Sequence, residues 1–129
     1  MNAKNTAALY SSFPKIFNSK LPWGFEFDDG WYELVKHLCQ ELQSHIDKTH
    51  DTQVVCIQAK EKFGTLRFYV DNTSNATQSI IDKYCKLSST TCEVTGGIGS
   101  VCKKGDWLKT LCPESAILLG YESLPQKGS

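Results

Sequence analysis

The sequence predicts an α+β fold: a helix, a β-hairpin, a second helix, and then a C-terminal module of the treble-clef or knuckle kind. Three observations predict it. Trp31, Leu34, Val35, Leu38, Leu42 and Ile46 recur at three- and four-residue spacing, which is one stripe of an amphipathic helix. Directly after it, "QVVCIQAKEKFGTLRFYVD" alternates apolar and polar residues about a turn that holds Gly64. Near the C-terminus, "CEVT" and "CPES" stand sixteen residues apart, each opening on a Cys as paired zinc-ligand turns do.

Each element has a local reason. Residues 1–20 read as a polar arm whose first residues fray, with Phe13, Ile16 and Phe17 docking on the domain. "LPWGFEFDDGW" is a dense aromatic loop around Gly24 and Gly30. The first helix runs from about Gly30 to Lys48, with Asp28 or Asp29 as its N-cap. In the hairpin, Val55, Ile57 and Ala59 alternate with Gln58 and Lys60, and Leu66, Phe68 and Val70 alternate with Arg67 and Tyr69. Gly64 supplies the positive φ of the turn. Ala76, Ile80, Ile81, Tyr84 and Leu87 form the stripe of the second helix, capped by Ser74 or Thr73. The knuckle-like module spans 91–121: turns at "TGGIGS" and "KKGD", a short hairpin through Val101 and "WLKTL", and a terminal helix with Pro113 in its first turn. Residues 122–129 read as a loose tail, so the chain is one domain over 1–129.

Composition narrows the function classes. The chain of 129 residues balances 14 Lys and Arg against 14 Asp and Glu, which argues against a general nucleic-acid or membrane-surface binder. No signal-peptide core and no membrane-length apolar run is present, so the expected location is cytoplasmic, away from any membrane. Six Cys in such a compartment read as thiols or ligands rather than disulfides. Cys39, Cys56 and Cys85 sit beside apolar stripes and read as small core residues. His37, His45 and His50 share no ligand spacing, and no phosphate-binding loop or catalytic triad is present. The chain therefore reads as not an enzyme, with no catalytic residue.

The Cys pattern leaves two readings open. A structural zinc needs four tetrahedral ligands, and only the first member of each pair is a Cys; Thr95 and Ser115 hold the second positions. Cys102 lies midway, so Cys92, Cys102 and Cys112 are the candidate zinc ligands. Otherwise no cofactor binds, and apolar residues including Trp107 and Leu111 fill the space. For binding to a partner, Trp23, Phe25, Trp31 and Trp107 are candidate interface anchors, joined by Arg67 and Tyr69 on the charged, aromatic hairpin. The same hairpin, with Lys60, Lys62, Lys103, Lys104 and Lys109, admits nucleic-acid binding as the alternative.

Several segments together resemble a family of small phage- and prophage-encoded proteins. These are "YSSFPKIF", "WGFEFDDGWYELVKHLCQEL", "VVCIQAKEKFGTLRFYV" and "TCEVTGG…WLKTLCPES", covering roughly residues 10–118. In that family the last module reads C-E-x-C-G and later L-C-x-x-H, which is similar to a zinc knuckle. Cys92 and Cys112 match two of its ligands, whereas Thr95 and Ser115 depart from the other two. The resemblance implies a phage-type context inside a host cell. By analogy with such small proteins, the expected job is binding a host protein and inhibiting a host defence factor, in the manner of an anti-CRISPR.

Overall fold

The fold was obtained as a computed structural model, which describes residues 1–124. It is α+β, with four helices and two small three-stranded sheets. Helix α1 covers Ala3–Ser12 and strand β1 covers Phe25–Glu26. A single 3₁₀ turn at Asp29–Trp31 leads into α2, Tyr32–Thr49. Strands β2 (Val55–Lys62) and β3 (Thr65–Asp71) form the first hairpin, followed by α3, Asn75–Ser88. The C-terminal third holds β4 (Ser100–Lys104), β5 (Trp107–Leu111), α4 (Pro113–Leu119) and β6 (Glu122–Ser123). No helix among the described residues is long and apolar enough to cross a membrane.

The larger core forms where α2 meets the first sheet. The α2 stripe is buried as its spacing predicts, from Trp31 through Leu34, Val35, Leu38, Leu42 and Ile46. Cys39 is also buried there, and burial pushes its thiol well up, as for a small core residue. Rings of Phe17, Phe25, Phe27 and Trp31 follow one another at centroid separations of 5.3–5.9 Å, mostly edge to face. Phe25 and Trp31 are thus core residues, not interface anchors, which corrects the expectation for both.

The N-terminal arm is more ordered than its polarity suggests. Asn2 caps α1 by accepting from the Asn5 amide at 2.8 Å. The Asp29 carboxylate, expected to cap α2, instead accepts from Asn2 N at 2.8 Å and Asn5 Nδ2 at 3.2 Å. Only Leu9 of α1 is buried, so an apolar stripe was never available to announce this helix. Phe13, Ile16 and Phe17 are buried as expected, and Cys56 N donates to Ile16 O at 2.8 Å.

The first hairpin departs from simple alternation. Its register shifts between Cys56 and Gln58, a β-bulge at Ile57. Cys56 and Ala59 therefore both face the core, while Ile57 is turned outward and exposed. The expected inward row of Val55, Ile57 and Ala59 fails for that reason. Burial pushes the Cys56 thiol up to about 12, which keeps it protonated and inert. Helix α3 lies against β3, and Ser74 closes a reciprocal capping box with Thr77. At its far end Ser88 Oγ accepts from Leu66 N at 2.8 Å.

The C-terminal third packs a smaller core of Cys92, Cys102, Leu111, Cys112 and Ala116, with Tyr121 against it. The expected tail is partly a strand, since β6 pairs with β4 through Cys102↔Ser123 and Lys103↔Glu122; residues 125–129 of that tail lie outside the described residues. The two cores are joined at one seam. Trp31 Nε1 donates to Thr91 O at 2.8 Å and Gly30 N donates to Glu93 O at 2.8 Å. A Cβ on Gly30 would lie 2.4 Å from the carbonyl oxygens of both Cys92 and Glu93. Backbone meets backbone there, and neither side can yield cheaply. Gly30→Ala is therefore expected to lower stability by about 3 kcal/mol, read as a fall in denaturant midpoint with unchanged slope. A loss within about 0.5 kcal/mol would show that the seam tolerates separation.

Candidate functional site

Two places in the fold gather unusual chemistry. The first is the meeting point of the two tetrapeptides. Cys92 opens a tight turn in which Gly96 N donates to Cys92 O at 2.8 Å and Cys92 N donates to Gly97 O at 2.7 Å. Gly96 takes φ +81 in that turn, a conformation glycine adopts freely. Cys112 sits just before α4, with Pro113 at its first position and Ser115 two residues further in.

This geometry brings all four pair positions together. Ser115 Oγ lies 3.2 Å from Cys112 Sγ and 3.8 Å from Cys92 Sγ. Thr95 Oγ1 lies 3.7 Å from Cys112 Sγ, and Thr95 N donates to Cys92 Sγ at 3.4 Å. The result is a hydrogen-bonded ring of two thiols and two hydroxyls, mostly buried. Burial pushes the Cys92 thiol up. Hydrogen bonds from the Thr95 side chain and from the backbone at Cys112, Thr95 and Val94 outweigh it and bring the thiol down to about 6.

Cys102 does not join this ring. Its thiol is buried in the same small core but turns to Ser100 O at 3.3 Å. The proposed triad of Cys92, Cys102 and Cys112 is therefore not assembled. Among the described residues no three His, Cys, Asp or Glu side chains form a set that could hold a metal ion. The donors that do converge are two thiols and two hydroxyls, which do not fit a structural zinc, because neutral hydroxyls are poor ligands for it.

Beside the ring lies a buried acid. Glu93 is 1% exposed, and it was not among the candidate site residues. Its Oε2 accepts from Asp28 N at 3.0 Å, and its Oε1 lies 3.5 Å from Lys109 Nζ, which is also 3.5 Å from Asp28 Oδ2. Burial holds the Glu93 carboxyl above the usual carboxylate range, against the pull of the Asp28 amide and Lys109. Burial acts to lower Lys109, but Glu93 and Asp28 outweigh it and hold the ammonium above its usual range.

The second place is a cleft of about 270 Å³ between the tips of the two hairpins, lined by Glu61, Lys62, Phe63, Asp106, Trp107 and Leu108. Gly64 builds it. The turn packs its bare Cα side against Val101 and Lys109, and Thr110 Oγ1 donates to Gly64 O at 2.6 Å. The two tips are thereby held side by side. Phe63 and Trp107 stand at them 64% and 75% exposed, and Lys62 Nζ sits 5.5 Å from the Phe63 ring centroid. The metal-free reading put Trp107 in the small core and the interface reading put it outside; the core is closed by Leu111 and Ala116, and the β4–β5 register sends Trp107 to the rim.

The remaining interface candidates fall elsewhere. Trp23 is exposed on the connection between α1 and β1, and Tyr69 is exposed on the first hairpin. Arg67 lies half-buried between β3 and α3, with its Nε enclosed and without a partner among the described residues. Phe63 was not singled out as an anchor. The signal for it was the two-residue loop itself, which leaves the Phe63 side chain outside the sheet.

Comparison with family models, with curated proteins and with solved structures finds no match to this chain.

Two outcomes follow from the geometry. The double variant Thr95→Cys, Ser115→Cys places four thiols at the converging positions. It is expected to bind about one zinc per chain by elemental analysis, with a raised Tm that a chelator reverses. Metal content near zero would show that the four positions do not face one centre.

The second concerns Glu93. A carboxyl raised on folding holds its proton more tightly in the folded state. Its contribution is therefore complete below the ordinary value of 4.5 and is lost as pH rises through the folded value. The stability of the parent protein minus that of Glu93→Gln is expected to fall as pH rises above the ordinary value of 4.5, and a rise would contradict the direction.

Proposed function

We propose that the protein is a non-enzymatic, phage-type binding protein that inhibits a host defence factor, with a CRISPR nuclease as the concrete target. The Phe63–Trp107 cleft is the contact surface. The observation that carries the reading is the backbone of Phe63. It sits at φ +54, next to Gly64 at φ +83, so the loop is a two-residue turn with both central residues left-handed. Asn, Asp or Gly suits the first of these positions; Phe costs roughly 1–2 kcal/mol there. Strain kept at an exposed aromatic is the pattern of a residue retained for contact.

The partner's surface follows from the lining. Two large rings offer apolar area at little entropy cost, and Glu61, Lys62 and Asp106 supply a mixed polar rim. That composition suits a protein surface better than a phosphate backbone. The lysines needed for nucleic-acid binding do not present one free face. Lys109 is paired with Glu93 and Asp28, Lys104 Nζ donates to Leu119 O at 3.0 Å, and Lys62 rests over Phe63. The non-enzymatic reading is supported by thiols of which all but Cys85 are buried and by histidines spread over α2 and its C-terminal end.

The test is inhibition of interference by a panel of CRISPR effector complexes, titrated with purified protein. Stoichiometric inhibition of at least one effector is expected. Trp107→Ala is expected to weaken it at least about tenfold while moving stability by less than about 0.5 kcal/mol. Phe63→Asn is expected to raise stability by about 1 kcal/mol and to weaken inhibition by a similar factor to Trp107→Ala. Full inhibition by both variants would remove the cleft from the account, and no inhibition of any effector would remove the target class.

A further inference from the structure

We infer that Cys92 and Cys112 form a binding site for a soft monovalent metal cation of the copper(I) class, held two-coordinate between their sulfurs. The site is independent of the hairpin-tip cleft. Three features of the ring point to it. Both sulfurs lie within reach of one hydroxyl, that of Ser115, so they face a common centre rather than separate pockets. The other two groups at that centre are the neutral hydroxyls of Thr95 and Ser115. A divalent ion that needs four anionic or imidazole donors finds only two strong ones, whereas a soft ion that is satisfied by two thiolates finds its full set. The Thr95 amide is already directed at Cys92 Sγ, an arrangement that stabilises sulfur carrying negative charge.

The enclosure favours an ion over a bulky thiol reagent. Cys92 is 0% and Cys112 8% exposed, which blocks attack by a disulfide such as oxidised glutathione but admits a bare cation handed over by a small chelate. Each sulfur binds the ion as a thiolate, forming one S–metal bond, and any proton that it carried passes to solvent. No electron is transferred. Thr95 Oγ1 goes on donating to Cys112 Sγ, and the Ser115 hydroxyl, which accepts from both thiols in the free protein, turns its one O–H to a thiolate, so each hydroxyl still donates one hydrogen bond to sulfur. Of the other thiols, Cys102 is committed to Ser100 O, Cys39 and Cys56 lie in the larger core, and Cys85 packs against that core.

The test is anaerobic titration of the full chain into copper(I) buffered by a chromophoric chelator, followed by X-ray absorption of the copper-loaded protein. One copper per chain is expected, bound to two sulfurs. Cys92→Ser and Cys112→Ser should each abolish it, with folding verified by circular dichroism. Cys102→Ala should retain it. Copper bound to three sulfurs, copper retained after loss of Cys92 or Cys112, or all copper left with the chelator would overturn the assignment. The absorption measurement on the unsubstituted protein decides the matter even where a serine variant fails to fold.

Discussion

The fold depends on the contact between residues 28–31 and residues 91–93. Gly30 passes against the Cys92 and Glu93 carbonyls with no room for a side chain, and Trp31 spans the same seam to reach Thr91 O. Glu93 then binds in both directions. Its side chain accepts from Asp28, its carbonyl from Gly30, and its amide donates to Thr110 O. One residue thus ties the start of α2, the Cys92 turn and β5 together. An ionisable side chain this deep is tolerated because its oxygens have a backbone donor and Lys109. Both candidate sites inherit their geometry from the seam. It sets the Cys92 turn opposite α4, and it holds β5 where Thr110 can grip the Gly64 turn.

Within the C-terminal third, polar groups do the work of convergence. Two thiols and two hydroxyls are small, so burying them demands partners but leaves little volume to fill. They satisfy one another in a ring, while Leu111, Ala116 and Tyr121 supply the apolar packing around it. The spacing that suggested paired ligands therefore does report a convergence of four side chains. What it cannot report is the identity of the bonds among them.

Long periodic elements were legible because their signal is the burial pattern itself. The α2 stripe, the Ser74 cap, the Gly64 turn and Pro113 at the start of α4 each follow from residue type and position. Helix α1 was not, since it is held by capping and by Asp29 rather than by an apolar face. The bulge at Ile57 escaped because a one-residue insertion reverses the facing of later side chains without altering composition. Aromatic content alone could not sort Phe25 and Trp31, which close the main core, from Trp23 and Trp107, which do not. Exposure of a large ring is decided by tertiary packing, and only the strained turn at Phe63 carried a local trace of it.

The central claim is that the C-terminal third is held by its own hydrogen bonds and by the seam, with any metal bound only as an addition. Amide hydrogen exchange on protein exhaustively treated with chelator tests this most directly. The account predicts that Gly30, Cys92, Glu93 and Gly96, whose amides are bonded across the seam, within the turn or to β5, remain protected to a degree comparable with the core of α2. Rapid exchange of the Cys92–Gly96 turn in that state, slowed only when zinc is restored, would contradict it.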